Sequence, residues 1–186
     1  ARTQRIADRA KVNKALLHYY YGSKEKIYVE ALETVAGEII ENLAAIPEEP
    51  VPVERKLEQI MDAYIKVFTE HSNYVKLVLY EIARGGEHIK KVIMRRLKDF
   101  PLNPLTGKLY KYFESRMKAG EIRRVNIFHL FVSAVAQVAP VYFVKSIAGN
   151  VFDGLGIDRL LLESFVKERK AFVLKLMMDG LKKKDD

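Results

Sequence analysis

Apolar residues recur every three or four positions along almost the whole chain, with no convincing alternation in the two-residue period of a half-buried strand. The pattern predicts an all-α protein. Thr3–Arg9 reads as a short helix and Asn13–Tyr20 as a second, with Asn13 able to cap it. Ser23 can cap a third, running to about Ala45 with Ile27, Tyr28, Ala31, Leu32, Val35, Ile39 and Leu43 on one side. The three prolines of "IPEEPVP" (46–52) end it and mark the expected junction between an N-terminal unit, 1–45, and a larger helical unit, 46–186.

In the second unit, Val53, Leu57, Ile60, Met61, Tyr64, Ile65 and Phe68 carry helical spacing through 53–71. A helix follows from about Asn73 to Arg84, stopped by Gly85 and Gly86. "EHIKKVIMRRLKDF" (87–100) is a basic amphipathic helix ended by Pro101 and Pro104, and Leu105–Lys118 continues up to Gly120. Val125–Val144 holds no Asp, Glu, Lys or Arg in 20 residues, enough to cross a bilayer. Asn126, His129, Ser133, Gln137 and Pro140 interrupt it, so it reads as a helix buried between a core and a partner subunit. Residues 148–156 read as a loop. Asp158 is then expected to cap a last helix, Arg159–Leu181, before a frayed tail.

Composition narrows the chemistry. At 186 residues the chain can bury a sizeable core. It has no cysteine, which removes disulfides, thiolate nucleophiles and cysteine–zinc sites and fits a cytoplasmic setting. No signal-peptide pattern opens it. Ala1 stands inside a motif, so it is not expected to be the biological start.

The net charge is +8, and its placement matters more than its size. Residues 1–28 hold seven Lys/Arg (Arg2, Arg5, Arg9, Lys11, Lys14, Lys24, Lys26) against Asp8 and Glu25. Residues 29–50 hold six glutamates and no Lys/Arg. A basic excess confined to the front points to a surface that faces a polyanion.

Two short helices joined by a three-residue turn, in that basic segment, suggest a helix-turn-helix. Asn13, Leu16, Leu17 and Tyr20 fall at i, i+3, i+4 and i+7, and are expected to pack on Ile6, Ala7, Ala10 and Val12. Tyr21, four residues after Leu17, is expected to turn inward. The opposite side presents Lys14, Ala15 and His18, with Tyr19 at its edge. That set suits a DNA major groove: a donor chain, a small residue allowing close approach, an imidazole and a phenol.

The stretch "RIADRAKVNKALLHYYYGSKEKIY" resembles the N-terminal signature of TetR-type transcriptional regulators. The shared features are an Ile-Ala pair, an Ala-x-Val turn, a small residue and Leu on the recognition helix, an aromatic run, and Ser-Lys-Glu opening the next helix. The resemblance covers about residues 3–32; beyond them the chain agrees only in its all-helical character and length. It implies a further helix before Ala1, a homodimer built on the last two helices, a ligand cavity in the C-terminal unit, and release from DNA when ligand binds.

Residue by residue, the resemblance implies that Thr3 and Gln4 approach a phosphate or base. Lys14 and Ala15 lie at the groove, His18 reaches a base or phosphate, and Tyr19 and Tyr20 meet the backbone or neighbouring packing. Lys24 grips a phosphate, and Lys11 and Asn13 complete the DNA-facing set. Lys24 opposes the dipole at a helix N-terminus; a phosphate held there by the ammonium and the free amides removes the conflict. Lys11 stands where the family usually has glycine, Ala15 where it has glycine and His18 where it has tyrosine, so the preferred DNA sequence does not carry over.

Tyr64, Phe68, Tyr80, Phe128 and Phe131 are the candidate walls of an apolar effector pocket, and Phe131, Val135, Tyr142, Phe165 and Phe172 the candidate dimer interface. Glu81, Glu87 and His88 match no metal-ligand spacing, and His71 and His129 read as structural. No phosphate loop, dinucleotide fingerprint or H-E-x-x-H motif occurs. The reading is a non-enzymatic regulator without cofactor or metal, most often a repressor in such a family. It would bind a palindromic operator as a homodimer and be released by a small apolar or aromatic effector. The competing reading is an all-helical interaction or membrane-associated module, using 125–144 and the basic helix.

Overall fold

The computed structural model describes residues 2–99, 107–151 and 157–182. Among them there are nine α-helices and no strand: α1 (Thr3–Ala10), α2 (Lys14–Tyr21), α3 (Lys24–Ala44), α4 (Val53–Glu70), α5 (Ser72–Ala83), α6 (Glu87–Asp99), α7 (Lys108–Lys118), α8 (Ile127–Val151) and α9 (Ile157–Leu181). The all-α class follows the sequence reading.

Local chemistry sets the first boundaries. The Asn13 side chain accepts the Ala15 amide at 2.9 Å and opens α2; Ser23 Oγ accepts the Lys26 amide at 3.1 Å and opens α3. α1 closes on a left-handed residue, Lys11, at φ 55° and ψ 38°. The Lys11 amide bonds the Asp8 carbonyl at 3.2 Å, and the Val12 amide reaches back to the Ala7 carbonyl at 3.0 Å. Glycine usually holds that position because a Cβ crowds the next carbonyl there. Lys11→Gly is therefore expected to stabilise the protein by about 0.5–1 kcal/mol, read as a raised urea midpoint at unchanged slope. A lowered midpoint would show that the lysine stem packs better than it strains.

The main core is built on α4. Its Leu57, Ile60, Met61 and Tyr64 meet Leu109 and Phe113 of α7, Ala134 and Val138 of α8, and Val173 and Met177 of α9. A separate small cluster joins α3 to α6: Leu32 and Ala36 bury against Val92, flanked by Tyr28, Leu77 and Ile89. Charge reinforces that contact. Glu33 accepts Arg95 at 2.8 Å and Arg96 Nε at 3.0 Å. Arg96 lies so close over Gly37 that a Cβ there would stand 3.2 Å from its guanidinium.

Two expectations at the C-terminal side change. α8 runs to Val151, so the first part of the expected 148–156 loop is helical, while 152–156 lie outside the described residues. Pro140 sits inside α8 without ending it. α9 starts at Ile157, which puts Asp158 in its first turn instead of at its cap. Among the described residues, no helix is long and apolar enough to cross a membrane.

Candidate nucleic-acid interface

α2 packs between α1 and α3, and Ala7 and Leu17 form the buried contact between α1 and α2. Ile6 and Val12 are half-buried beside them. The expected core is larger than the observed one. Ala10, Leu16 and Tyr20 are exposed, because two eight-residue helices supply too little neighbouring surface to cover them. The tyrosine run forms a gradient: Tyr19 is 82% exposed, Tyr20 71% and Tyr21 37%. Tyr21 thus leans inward without being buried. Tyr19 and Tyr20 meet edge to face at 5.3 Å and form one aromatic surface.

Lys11, Lys14, Ala15, His18 and Lys24 are all exposed beside that surface. Among the described residues, none of these three lysines is engaged in an ion pair. Lys24 is the first residue of α3, next to the Ser23 cap, where the helix presents its free amides. Three expected contact residues are otherwise occupied. Asn13 spends its carbonyl on capping α2, Gln4 donates to Asp8 at 2.8 Å, and Thr3 is half-buried.

The structure also contains a polar junction that joins Glu81 and His88 to Tyr28, a partner the sequence pattern does not indicate. Glu81, at the end of α5, is 1% exposed. Its carboxylate accepts the Tyr28 hydroxyl of α3 at 2.5 Å and the His88 and Ile89 amides at 2.7 and 3.3 Å, capping α6 from outside. His88 Nδ1 lies 3.4 Å from the same carboxylate, while Nε2 lies 3.3 Å from Glu25 of α3. Burial alone pushes the Glu81 carboxyl up. The Tyr28 hydroxyl and then the two amides outweigh it and hold the group below its ordinary value. Burial first, then the bond to Glu81, pushes the Tyr28 phenol well above its ordinary range, so it remains a donor at neutral pH. Nearby, burial and Glu38 push Tyr74 up to about 12. The one sequence clue was an acid just before the Gly85–Gly86 turn; the Tyr28 partner is 53 residues away.

Among the described residues, the expected pocket residues stand in different surroundings. Tyr64 is buried, with its hydroxyl donating to the Ala134 carbonyl. Phe68 is buried against Tyr142 at 5.7 Å. Phe131 borders a gap with Leu57, Ile60 and Phe113 that has no room for a water molecule. Tyr80 and Phe128 are exposed. The expected interface residues divide likewise. Val135, Phe165 and Phe172 are exposed, Phe131 is half-buried and Tyr142 is buried, sharing a hydrogen bond with Thr69 at 3.0 Å. Phe128 and Val132 extend the exposed apolar stripe on α8, and Leu176 extends the one on α9.

Residues 1–31 match the sequence profile of the bacterial regulatory proteins, tetR family. The chain carries a TetR-family N-terminal segment. It is also similar to the HTH-type transcriptional repressor NicS of Pseudomonas putida, 26% identical over 90 residues. That match takes in 48% of this chain and 42% of the repressor, so it spans less than half of the relative's length. In this TetR-family segment α1 and α2 are the helix-turn-helix pair, and the exposed Lys14, Ala15 and His18 lie on its second helix.

Proposed function

We propose that the protein is a DNA-binding transcriptional regulator, a repressor acting in the cytoplasm as a homodimer on a palindromic operator. The observation that carries this reading is the cationic and aromatic outer side of α2, ion-pair-free at Lys14 and continued by Lys24 at the start of α3, within the TetR-family segment. Lys14, Ala15 and His18 enter the major groove, Tyr19 and Tyr20 rest at its edge, and Lys24 with the α3 amides holds a phosphate. Lys11 is a second phosphate contact.

The exposed stripes of α8 (Phe128, Val132, Val135) and α9 (Phe165, Phe172, Leu176) are the surface we assign to the partner subunit. A small apolar or aromatic effector acts by favouring a subunit arrangement that no longer fits two half-sites. The junction of Tyr28, Glu81 and His88 gives α3 a rigid link to α5 and α6 through which such a change passes. The reading involves no catalysis.

Lys24→Gln tests the DNA reading. Removing a phosphate contact should weaken binding on every sequence and reduce the slope of log affinity against log salt by about one unit. An unchanged slope would remove Lys24 from the interface.

A further inference from the structure

Just beyond the end of α3, the Pro47–Pro50 turn, α4 and α7 bound a cavity of about 510 Å³. Four cations line it: Lys56, Lys108, Lys111 and Arg116. The only acids on its wall are Glu48 and Glu49, both exposed. The cations are not neutralised within the cavity. Lys56 is 1% exposed, yet among the described residues it has no carboxylate partner; its ammonium donates to the Pro47 carbonyl at 2.7 Å and lies 5.1 Å from the Tyr112 ring centroid. Lys108 donates to the Ala44 and Ile46 carbonyls at 2.6 and 2.8 Å. Arg116 covers the same Tyr112 ring at 5.1 Å and pairs with Glu121, but its Nε is buried without a hydrogen-bond partner.

Holding a buried ammonium against carbonyls and a ring is costly compared with pairing it with an anion. Burial, above all, lowers the Lys56 pKa, with Lys108 and Arg116 adding to the effect against Glu49 and Glu48. Lys108 also caps the carbonyl end of α3 at Ala44, and Lys56 holds the following turn at Pro47, structural roles that use only part of their donor capacity. Lys111 and the Arg116 Nε serve no such role.

We propose that this cavity is a binding site for a small polyvalent anion, a phosphate ester or polycarboxylate, held by Lys56, Lys108, Lys111 and Arg116 beside Tyr112. The volume is in the range of small-molecule sites. The anion draws Lys108 from the Ala44 carbonyl that closes α3, and Lys56 from the Pro47 carbonyl of the turn that follows, and so acts on the helix that begins at Lys24. That coupling rests on the DNA-binding reading; the binding itself does not.

Titration calorimetry of the whole chain, at fixed ionic strength, tests the site with pyrophosphate and with citrate. Saturable binding at one anion per chain is expected from at least one probe, and the stronger probe tells phosphate from carboxylate. Lys108→Gln and Lys111→Gln should each weaken it by about tenfold or more. Lys111 is exposed, so its variant keeps the fold even if the Lys108 variant loosens α3. Lys91→Gln, on the exposed side of α6, should leave binding unchanged. No saturable binding of either probe up to about 10 mM, or equal loss in the Lys91 variant, would overturn the site.

Discussion

Glu81→Ala is expected to lower the unfolding free energy by about 3 kcal/mol, measured by urea denaturation. The carboxylate is buried, and its loss strands the Tyr28 hydroxyl and the His88 and Ile89 amides. Tyr28→Phe removes one of these bonds and should cost about 1.5 kcal/mol. A pH series separates the charge from the packing. Because the folded protein holds the Glu81 pKa below its ordinary value, its contribution is fully present above roughly pH 4.3, the unfolded value. It is lost as pH falls through the lower folded value. The wild type should thus lose more stability than Glu81→Gln over that acid range. Parallel curves would mean that the carboxylate charge is not what holds α3, α5 and α6 together.

The double replacement Phe165→Asp with Phe172→Asp should leave helicity intact and give a monomer by sedimentation. Both rings are more than half exposed, so neither aspartate enters the protomer's own core. Each would place a charge in the apolar centre of the proposed interface. A monomer engages one half-site, and affinity for a palindromic duplex should fall by roughly 10²- to 10⁴-fold. A variant that remains dimeric would move the interface elsewhere.

How much of this was readable beforehand depended on how local the cause was. The starts of α2 and α3 follow from Asn13 and Ser23, whose capping partners lie two and three residues away. The left-handed Lys11 follows from a turn that usually takes glycine. The α4 stripe was legible because one period runs unbroken through Tyr64 and Phe68. Periodicity gives the face of a helix but not what covers it. The spacing thus points Leu16 inward, yet it is exposed; Tyr20, which it leaves between core and DNA, is exposed; and Tyr142, expected at a partner, buries at home.

Glu81 and His88 stand out beside Gly85 and Gly86 as polar residues without a ligand spacing, but their link to Tyr28 and the burial of Lys56 are not legible, for a related reason. A lysine or glutamate on a helix ordinarily reads as a solvated position. Only long-range packing brings Tyr28 to Glu81, or closes the Pro47 turn over Lys56. For the effector-pocket residues, aromatic character alone does not distinguish a cavity wall from a filled core.

The central claim is that the outer side of α2 reads DNA as one half of a symmetric pair. Selection of bound duplexes from a random pool, sequenced after several rounds, tests it most directly. The expected result is an enriched palindrome whose half-sites are separated by about one helical turn or a multiple of it. Exchanging Lys14 or His18 should change the preferred bases within each half-site. No enriched sequence, or a preference that survives both exchanges unaltered, would contradict it.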